Sequence, residues 1–479
     1  MSQTLGILKN LAVKFGDHFF KIKATSDLTK NLYPFSQCFF RNYELNNNLP
    51  TVNSQLIRIL NATESEITCS WLPNIPEIFN PAVHDNLAHW ALMFVDFPEK
   101  LPDASPYNFD YTDIVRIESG DREKKTLCYS SKNIYDYKKW NNRTAVLFNP
   151  FCDWEIKSNP IVQFDPTISW HTQYIAPAGL FKRQDQQFIF LINGESRHRN
   201  ELPKQKVGAF VTPDPWNGVF SPVNNGDFIF QGPTGAESFQ ITSLIQSDRP
   251  GDWLGFGNVR RGMKWSVCGV QFHEDFTNIQ YFEDLIIPPK NPINKLGEYF
   301  PDIIYFKGKY RLMWCNLVAT SVGDRYISEA ISDNILGPFD STTTGGPVFS
   351  KANKNDGIFR SSHTSQTTYF IWQEKLFCLY DGTSCWKASG NRGNRLFGIA
   401  VFDELQQQWM ENPWNPIFIN PIYGDKVWGP EWKWCSDHLG GKPILFQTDP
   451  GDLLFFFSAC DGTDTYRPGC ARAKQKLVA

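Results

Sequence analysis

Apolar and polar positions in this chain alternate over short runs, and each run ends at a Gly, Pro, Asn or Asp turn. The clearest stretch is Pro301-Asp-Ile-Ile-Tyr-Phe-Lys-Gly-Lys-Tyr-Arg-Leu-Met-Trp314. A period of two, broken at Lys307-Gly308, predicts two antiparallel strands joined by a tight turn. Tyr326–Asp333 predicts a third strand, and Gly346-Pro-Val-Phe349 a short edge element.

The same order recurs. A second copy runs through Pro177–Lys182, Phe188–Ile192, Val207–Asp214 and Asp227–Phe230. Another runs through Phe239–Ile245, Trp253–Gly257, Ser266–Asp275 and Leu285–Pro288, and another through His363–Ile371, Leu376–Tyr380, Phe397–Asp403 and Asn415–Phe418. The first copy is looser, with Asn80–Val83, Trp90–Phe94 and Asn159–Val162. Closing elements recur roughly every 60 to 70 residues, the length of a four-stranded sheet with its loops. Such a sheet buries both faces only between neighbours. The expected fold is therefore all-β, a five-bladed β-propeller with about four antiparallel strands per blade.

The expected blades are 76–165, 170–232, 235–290, 297–350 and 358–420, with 421–479 as closing strands. Within the last segment, Pro443–Phe446, Leu453–Phe457 and Gly469–Ala473 again read as strands, so a sixth blade is the alternative. Residues 1–75, with a strand-like run at His18–Lys23, are expected to pack on the propeller or close it.

Composition agrees with this reading. The 39 Phe, 17 Tyr and 16 Trp beside 33 Gly and 31 Pro suit aromatic strands and frequent turns. A repeat also explains how 479 residues avoid needing one oversized core. The net charge of -3 gives no electrostatic reason to expect nucleic acid or an anionic membrane. The expected partner is a small molecule or a carbohydrate. The first residues show no secretory signal pattern, and the 11 Cys are scattered without C-x-x-C spacing, so free thiols and a cytoplasmic location are expected.

Pro301–Trp314, Ala330-Ile-Ser-Asp-Asn-Ile-Leu-Gly-Pro-Phe339 and Ser362-His-Thr-Ser365 resemble the five-bladed propeller glycoside hydrolases of family 43 and its relatives in families 32 and 68. The resemblance covers roughly residues 76–420 and lies in the grammar of the blades. It implies two carboxyl groups flanking a glycosidic bond. In those enzymes an Asp-Pro in blade one supplies the base, a second Asp-Pro follows in blade two, and a Glu in blade three supplies the acid. The matching positions here are Asn80-Pro81, Ala176-Pro177 and Glu237, so both aspartates are replaced. Glu298 and Asp302, either side of Pro301, are an alternative alignment of the acid region.

The candidate catalytic residues are Glu237, Asp302, Glu298 and His363. Glu237 is expected to carry a raised pKa and to donate a proton. Asn80, His171, Tyr174 and Arg360 are candidate substrate-binding residues. The resemblance also implies a calcium-type structural metal ion at the axis near His363. His273-Glu274-Asp275 falls at a turn position of the repeat and reads as structural.

The leading expectation is a glycoside hydrolase-like enzyme. The second is a non-hydrolytic biosynthetic enzyme that cyclises, rearranges or transfers a group on a small molecule, and the third is a carbohydrate-binding propeller. Phosphate-loop, dinucleotide-binding and Gly-x-Ser-x-Gly patterns are absent from the sequence.

Overall fold

A strand with apolar residues on both faces needs a neighbour on each side. Phe188, Phe190 and Ile192 pack one way and Ile189 and Leu191 the other, all buried. The computed structural model shows how this is arranged. It describes residues 154–196, 204–287, 296–317, 325–341, 348–349, 364–388, 392–411, 430–435, 439–448 and 452–473, apart from single positions within these ranges. Before them it describes strands between residues 12 and 148.

Strands β1 (Ala12–Phe15) and β2 (His18–Lys21) form a hairpin, as the run at His18 predicts. Strands β3 (Ser54–Ala62), β4 (Glu66–Ser70), β5 (Ala91–Val95), β6 (Ile114–Asp121), β7 (Thr126–Tyr129) and β8 (Thr144–Phe148) close a six-stranded antiparallel barrel in the order β3-β4-β7-β6-β5-β8. This corrects the expected first blade. Ala91–Val95 has the alternation of a blade strand but pairs with β6 and β8. β3 and β4, from the segment expected to pack on the ring, also belong to this barrel.

Strand β9 (Trp154–Ile156) stands apart from the barrel and pairs with the last strand of the chain. Next comes the meander β10 (Tyr174–Lys182), β11 (Phe188–Glu195), β12 (Lys206–Thr212), β13 (Ser221–Pro222). It is followed by β14 (Ser238–Gln246), β15 (Asp252–Arg261), β16 (Lys264–His273), β17 (Gln280–Phe282). After β18 (Ile286–Ile287), strands β19 (Gly297–Phe306), β20 (Lys309–Leu317) and β21 (Arg325–Ser332) form the third unit. Phe349 bridges Ile327 at its outer edge, as expected of that element. The expected edge element at Leu285 behaves differently, because β18 pairs with β22 (Phe339–Asp340) and β17 is the outer strand of its unit.

The fourth unit is β23 (Thr367–Trp372), β24 (Lys375–Ala388), β25 (Arg392–Asp403), β26 (Gln408–Glu411). The fifth is β27 (Leu439–Gln447), β28 (Leu453–Cys460), β29 (Tyr466–Ala473), with β9 as its outer strand.

The first strands of these units neighbour one another in the cyclic order β10, β14, β19, β23, β27 and back to β10. A buried apolar cluster lies between each adjacent pair of units. In β28, for example, Phe455 and Phe457 face the fourth unit while Leu454 and Phe456 face the first. This radial stacking of antiparallel sheets is a β-propeller. Residues 439–473, expected as closing strands, form a unit in their own right, and β9 supplies its outer strand.

Local turn chemistry follows the sequence. Lys307 and Gly308 both take positive φ, 48° and 82°, as a two-residue hairpin turn requires. Gly257 has another reason: a Cβ there would lie 1.7 Å from the Gln240 carbonyl oxygen. Cys128, Cys268, Cys378 and Cys470 carry free thiols. Burial pushes the Cys268 thiol up to about 12, which keeps it protonated and inert. Among the described residues no helix is long and apolar enough to cross a membrane.

Candidate functional site at the propeller axis

Side chains of the first and second strands of each unit tie the ring together. Asn193 on β11 donates to the Ile241 carbonyl (2.7 Å) and accepts from the Ile241 N–H (3.0 Å). Asn258 on β15 does the same one unit on, accepting from the Phe300 N–H (2.7 Å) and donating to the Glu298 carbonyl (3.0 Å). The Thr242 hydroxyl donates to the Pro301 carbonyl (2.7 Å), and the Thr368 hydroxyl to the Pro443 carbonyl (2.6 Å). The Ser458 hydroxyl donates to the Ile175 carbonyl (3.2 Å), joining the last unit to the first.

Asp302 completes this pattern. Its Oδ2 accepts from the Tyr369 N–H (2.5 Å) and its Oδ1 from the Lys442 ammonium. Lys442 Nζ also donates to the carbonyls of Thr242 (2.5 Å) and Pro301 (3.1 Å). Lys442 lies on β27, whose ring neighbours are β23 and β10, yet its partners lie on β14 and β19. The side chain therefore crosses the axis. Burial opposes both charges, raising the Asp302 pKa and lowering that of Lys442, while their attraction works the other way.

These contacts change the roles expected of the carboxylates. Asp302 is buried in an ion pair and committed to holding three units together. Glu237 stands just before β14 with its side chain 52% exposed. The Gly262 N–H (3.0 Å), first, and the buried Arg260 guanidinium (2.7 Å) hold its carboxyl below the usual range. A raised pKa was expected there, and the two donors to the carboxylate produce the opposite.

Glu298 is half-buried at the second position of β19, and its carbonyl receives Asn258. Tyr174 opens β10, half-buried, with its ring 5.2 Å from that of Tyr466. His171 was expected at the funnel mouth, but it is 1% exposed in the short turn before β10. Neither of its ring nitrogens has a hydrogen-bond partner, and burial lowers its pKa. Asn80, Arg360 and His363 lie outside the described residues.

Tyr174, Glu237, Glu298 and Thr367 thus share one structural position, at or beside the start of an inner strand. Asp302 and Lys442 lie further along their strands. Beside Thr367, the fourth unit contributes Thr364, Ser365 and Gln366. Asp381 accepts from the N–H groups of Ser365 (2.5 Å) and Gln366 (2.8 Å) and from the Ser365 hydroxyl (2.9 Å). The Gln366 carboxamide and the Thr367 hydroxyl are buried without a hydrogen-bond partner, which is rare for native polar groups and marks a place suited to water or a polar ligand. These residues and Lys442 are not among the sequence candidates. The available signals were the polar run Thr364–Thr368 opening an aromatic strand, and a lysine between Gly440-Gly441 and the apolar run Pro443–Phe446.

His273, Glu274 and Asp275 form the turn the repeat predicts. His273 Nδ1 lies 2.8 Å from Asp275 Oδ1, and Glu274 accepts from the Gln184 N–H (3.2 Å). Among the described residues there is no group of three or more His, Cys, Asp or Glu arranged to hold a metal ion. The Lys442 ammonium occupies the carbonyl oxygens of Thr242 and Pro301 and Oδ1 of Asp302, and the metal position expected near His363 lies outside the described residues.

No protein-family model matches the chain, and no curated protein matches it in sequence. Among solved structures it is similar to a glycosyl hydrolase from Bacteroides ovatus, with 14% identity, 69% of this chain and 93% of that chain covered, and a TM-score of 0.47. It is also similar to a thermostable family-43 glycoside hydrolase (16% identity, 52% and 77% covered, TM-score 0.39). A GH32 β-fructofuranosidase from Bombyx mori gives 13% identity, 67% and 63% covered, and a TM-score of 0.43. The propeller class rests on the chain's own ring of sheets.

Proposed function

We propose that this chain binds and acts on a glycoside or another small sugar-like molecule, at the face of a five-bladed propeller where the inner strands begin. The observation that carries this reading is the concentration of polar groups there, above all the buried Gln366 carboxamide and Thr367 hydroxyl left without protein partners. A neutral ligand rich in hydroxyls satisfies such donors and acceptors without needing a charged site.

Glu298 is the acid we assign. Counted from β10, its strand is the third inner strand, and the resemblance places the acid in the third blade. On the same count Ala176-Pro177 falls in the first unit and is buried, so the residue that would activate water is different from the family's aspartate. That replacement, with Asp302 committed to Lys442, favours a second reading. In it the site transfers a group or rearranges a small molecule without hydrolysis, and His363 moves the proton.

The test is turnover of a panel of aryl-glycosides together with thermal-shift binding of mono- and oligosaccharides. Glu298→Gln is expected to lower turnover by about 100-fold or more with unchanged folding. Unchanged turnover removes Glu298 from the acid's role. Saccharide binding without turnover by the unaltered protein supports the second reading, and loss of neither binding nor turnover in Gln366→Leu overturns the proposed location.

A further inference from the structure

The Lys442 ammonium has three N–H donors, and three oxygens receive them: the carbonyls of Thr242 (2.5 Å) and Pro301 (3.1 Å), and Oδ1 of Asp302. These oxygens come from β14 and β19, on the far side of the ring from β27. Lys442 is 2% exposed and Asp302 5%. Each partner is itself fixed, since Pro301 also accepts the Thr242 hydroxyl and Asp302 also accepts the Tyr369 N–H. Such an oxygen cage, with two carbonyl dipoles and one carboxylate, is the donor set that hard cations select. Here the cation is covalently part of the chain.

We propose that Lys442 is a tethered axial cation: its ammonium fills an oxygen cage that would otherwise require a free cation, cross-braces three inner strands, and closes the axis of the ring to solutes. The Lys442 side chain supplies one positive charge against the one carboxylate, so the cage is neutral as a unit. Because the bracing contacts reach from the fifth unit to the second and third, they hold opposite sides of the ring, which the sheet-to-sheet clusters between adjacent units do not. Any ligand of the propeller is then confined to one side of the cage, and the axis is a floor and not a passage. The brace holds the ring whether or not the inner-strand face is catalytic.

The test is chemical rescue. Lys442→Ala removes the ammonium and leaves the cage with room for a small cation. Its melting temperature is expected to fall by about 5 °C or more, because a buried carboxylate loses its partner. Propylammonium chloride is expected to restore several degrees of that loss, while sodium chloride at the same ionic strength and propanol at the same concentration do not. Equal effects of the three solutes overturn the proposal. If Lys442→Ala does not accumulate as folded protein, recovery on dilution from urea is measured with and without propylammonium, and recovery independent of the amine overturns it. In Lys442→Met/Asp302→Asn both charges are gone, so the amine is expected to give no specific stabilisation. Rescue of that double variant as large as that of Lys442→Ala shows that the amine is not entering the cage, and also overturns it.

Discussion

At His171 a single side chain carries a testable pH dependence. Its ring is buried, neither side-chain nitrogen has a hydrogen-bond partner, and desolvation lowers its pKa from the ordinary 6.5, outweighing its own backbone and Asp165, which raise it. The unfolded chain therefore takes up a proton at a higher pH than the folded protein does. Stability from this residue is complete above about pH 6.5 and is lost as pH falls toward the lowered folded value, at up to about 1.4 kcal/mol per pH unit. Urea titrations at pH 7.5 and 5.5 should show His171→Leu losing less stability than the unaltered protein over that interval. An equal loss in both would assign the acid sensitivity elsewhere.

Charge at the other candidate residues follows from neighbours that are distant in sequence. Glu237 reads locally as the first residue of a strand, and its low pKa comes from Gly262 and Arg260, which β15 and its turn bring back to it. Arg311 and Glu329 are buried together, with Nε–Oε1 at 2.9 Å and Nη2–Oε2 at 2.8 Å. The Tyr369 hydroxyl (2.6 Å) and the Trp409 indole (3.2 Å) of the next unit complete the carboxylate. Removing only the arginine leaves that carboxylate buried with two neutral donors. Arg311→Met is therefore expected to cost about 3–5 kcal/mol in chemical denaturation, and Arg311→Lys to recover part of it.

At the scale of elements, Asn193 and Asn258 show how one unit docks on the next. Each stands near the end of a second strand and hydrogen-bonds both backbone groups of the following inner strand or its start. Asn258 also accepts from the Gln240 carboxamide (2.9 Å). Phe300, its backbone partner, has a positive φ of 50° at the β19 bulge, a conformation costly for an aromatic residue unless its surroundings hold it. Asn258→Ala strands the Phe300 N–H and the Gln240 side chain, so a loss of about 2–4 kcal/mol is expected. Hydrogen exchange should speed up first at the start of β19, and uniform acceleration across all units would argue against a local clasp.

The turns and edges within a unit were legible because their chemistry is local. Lys307-Gly308 names its own turn, and Val348-Phe349 reaches Ile327 only some twenty residues back. The strand at Ala91–Val95 shows the limit of that local reading. Its alternation is that of a blade strand, and only its partners, Ile114–Arg116 and Thr144–Phe148, place it in the barrel. A period of two states that one face is buried and leaves open what covers it.

At the scale of the whole molecule, the ring is closed by a strand that precedes it. Trp154–Ile156 pairs with Ala471–Ala473, and Arg472 meets Glu155 at 2.6 Å across the seam. Trp154 is 2% exposed in the cluster between the fourth and fifth units, its ring 5.5 Å from that of Phe455. Trp154→Ala is expected to destabilise the ring by about 3–5 kcal/mol. The added opening should be concentrated in β28 and β29, as read by hydrogen exchange. A loss spread evenly over the chain would argue against β9 as the closing strand.

The sequence by itself determined the class of the fold, because strand alternation, turn residues and a repeat of one strand order are properties of neighbouring residues. It also located the polar starts of the inner strands, where Tyr174, Glu237 and Glu298 fall. Only the tertiary structure decided which segment completes the last unit, since β9 and β29 are separated by almost the whole ring and closing so long a loop leaves no local mark. It likewise decided the fate of the charges. Asp302 is a plausible acid in its own strand and a buried counter-ion beside Lys442, and the difference lies in a contact between residues 140 positions apart.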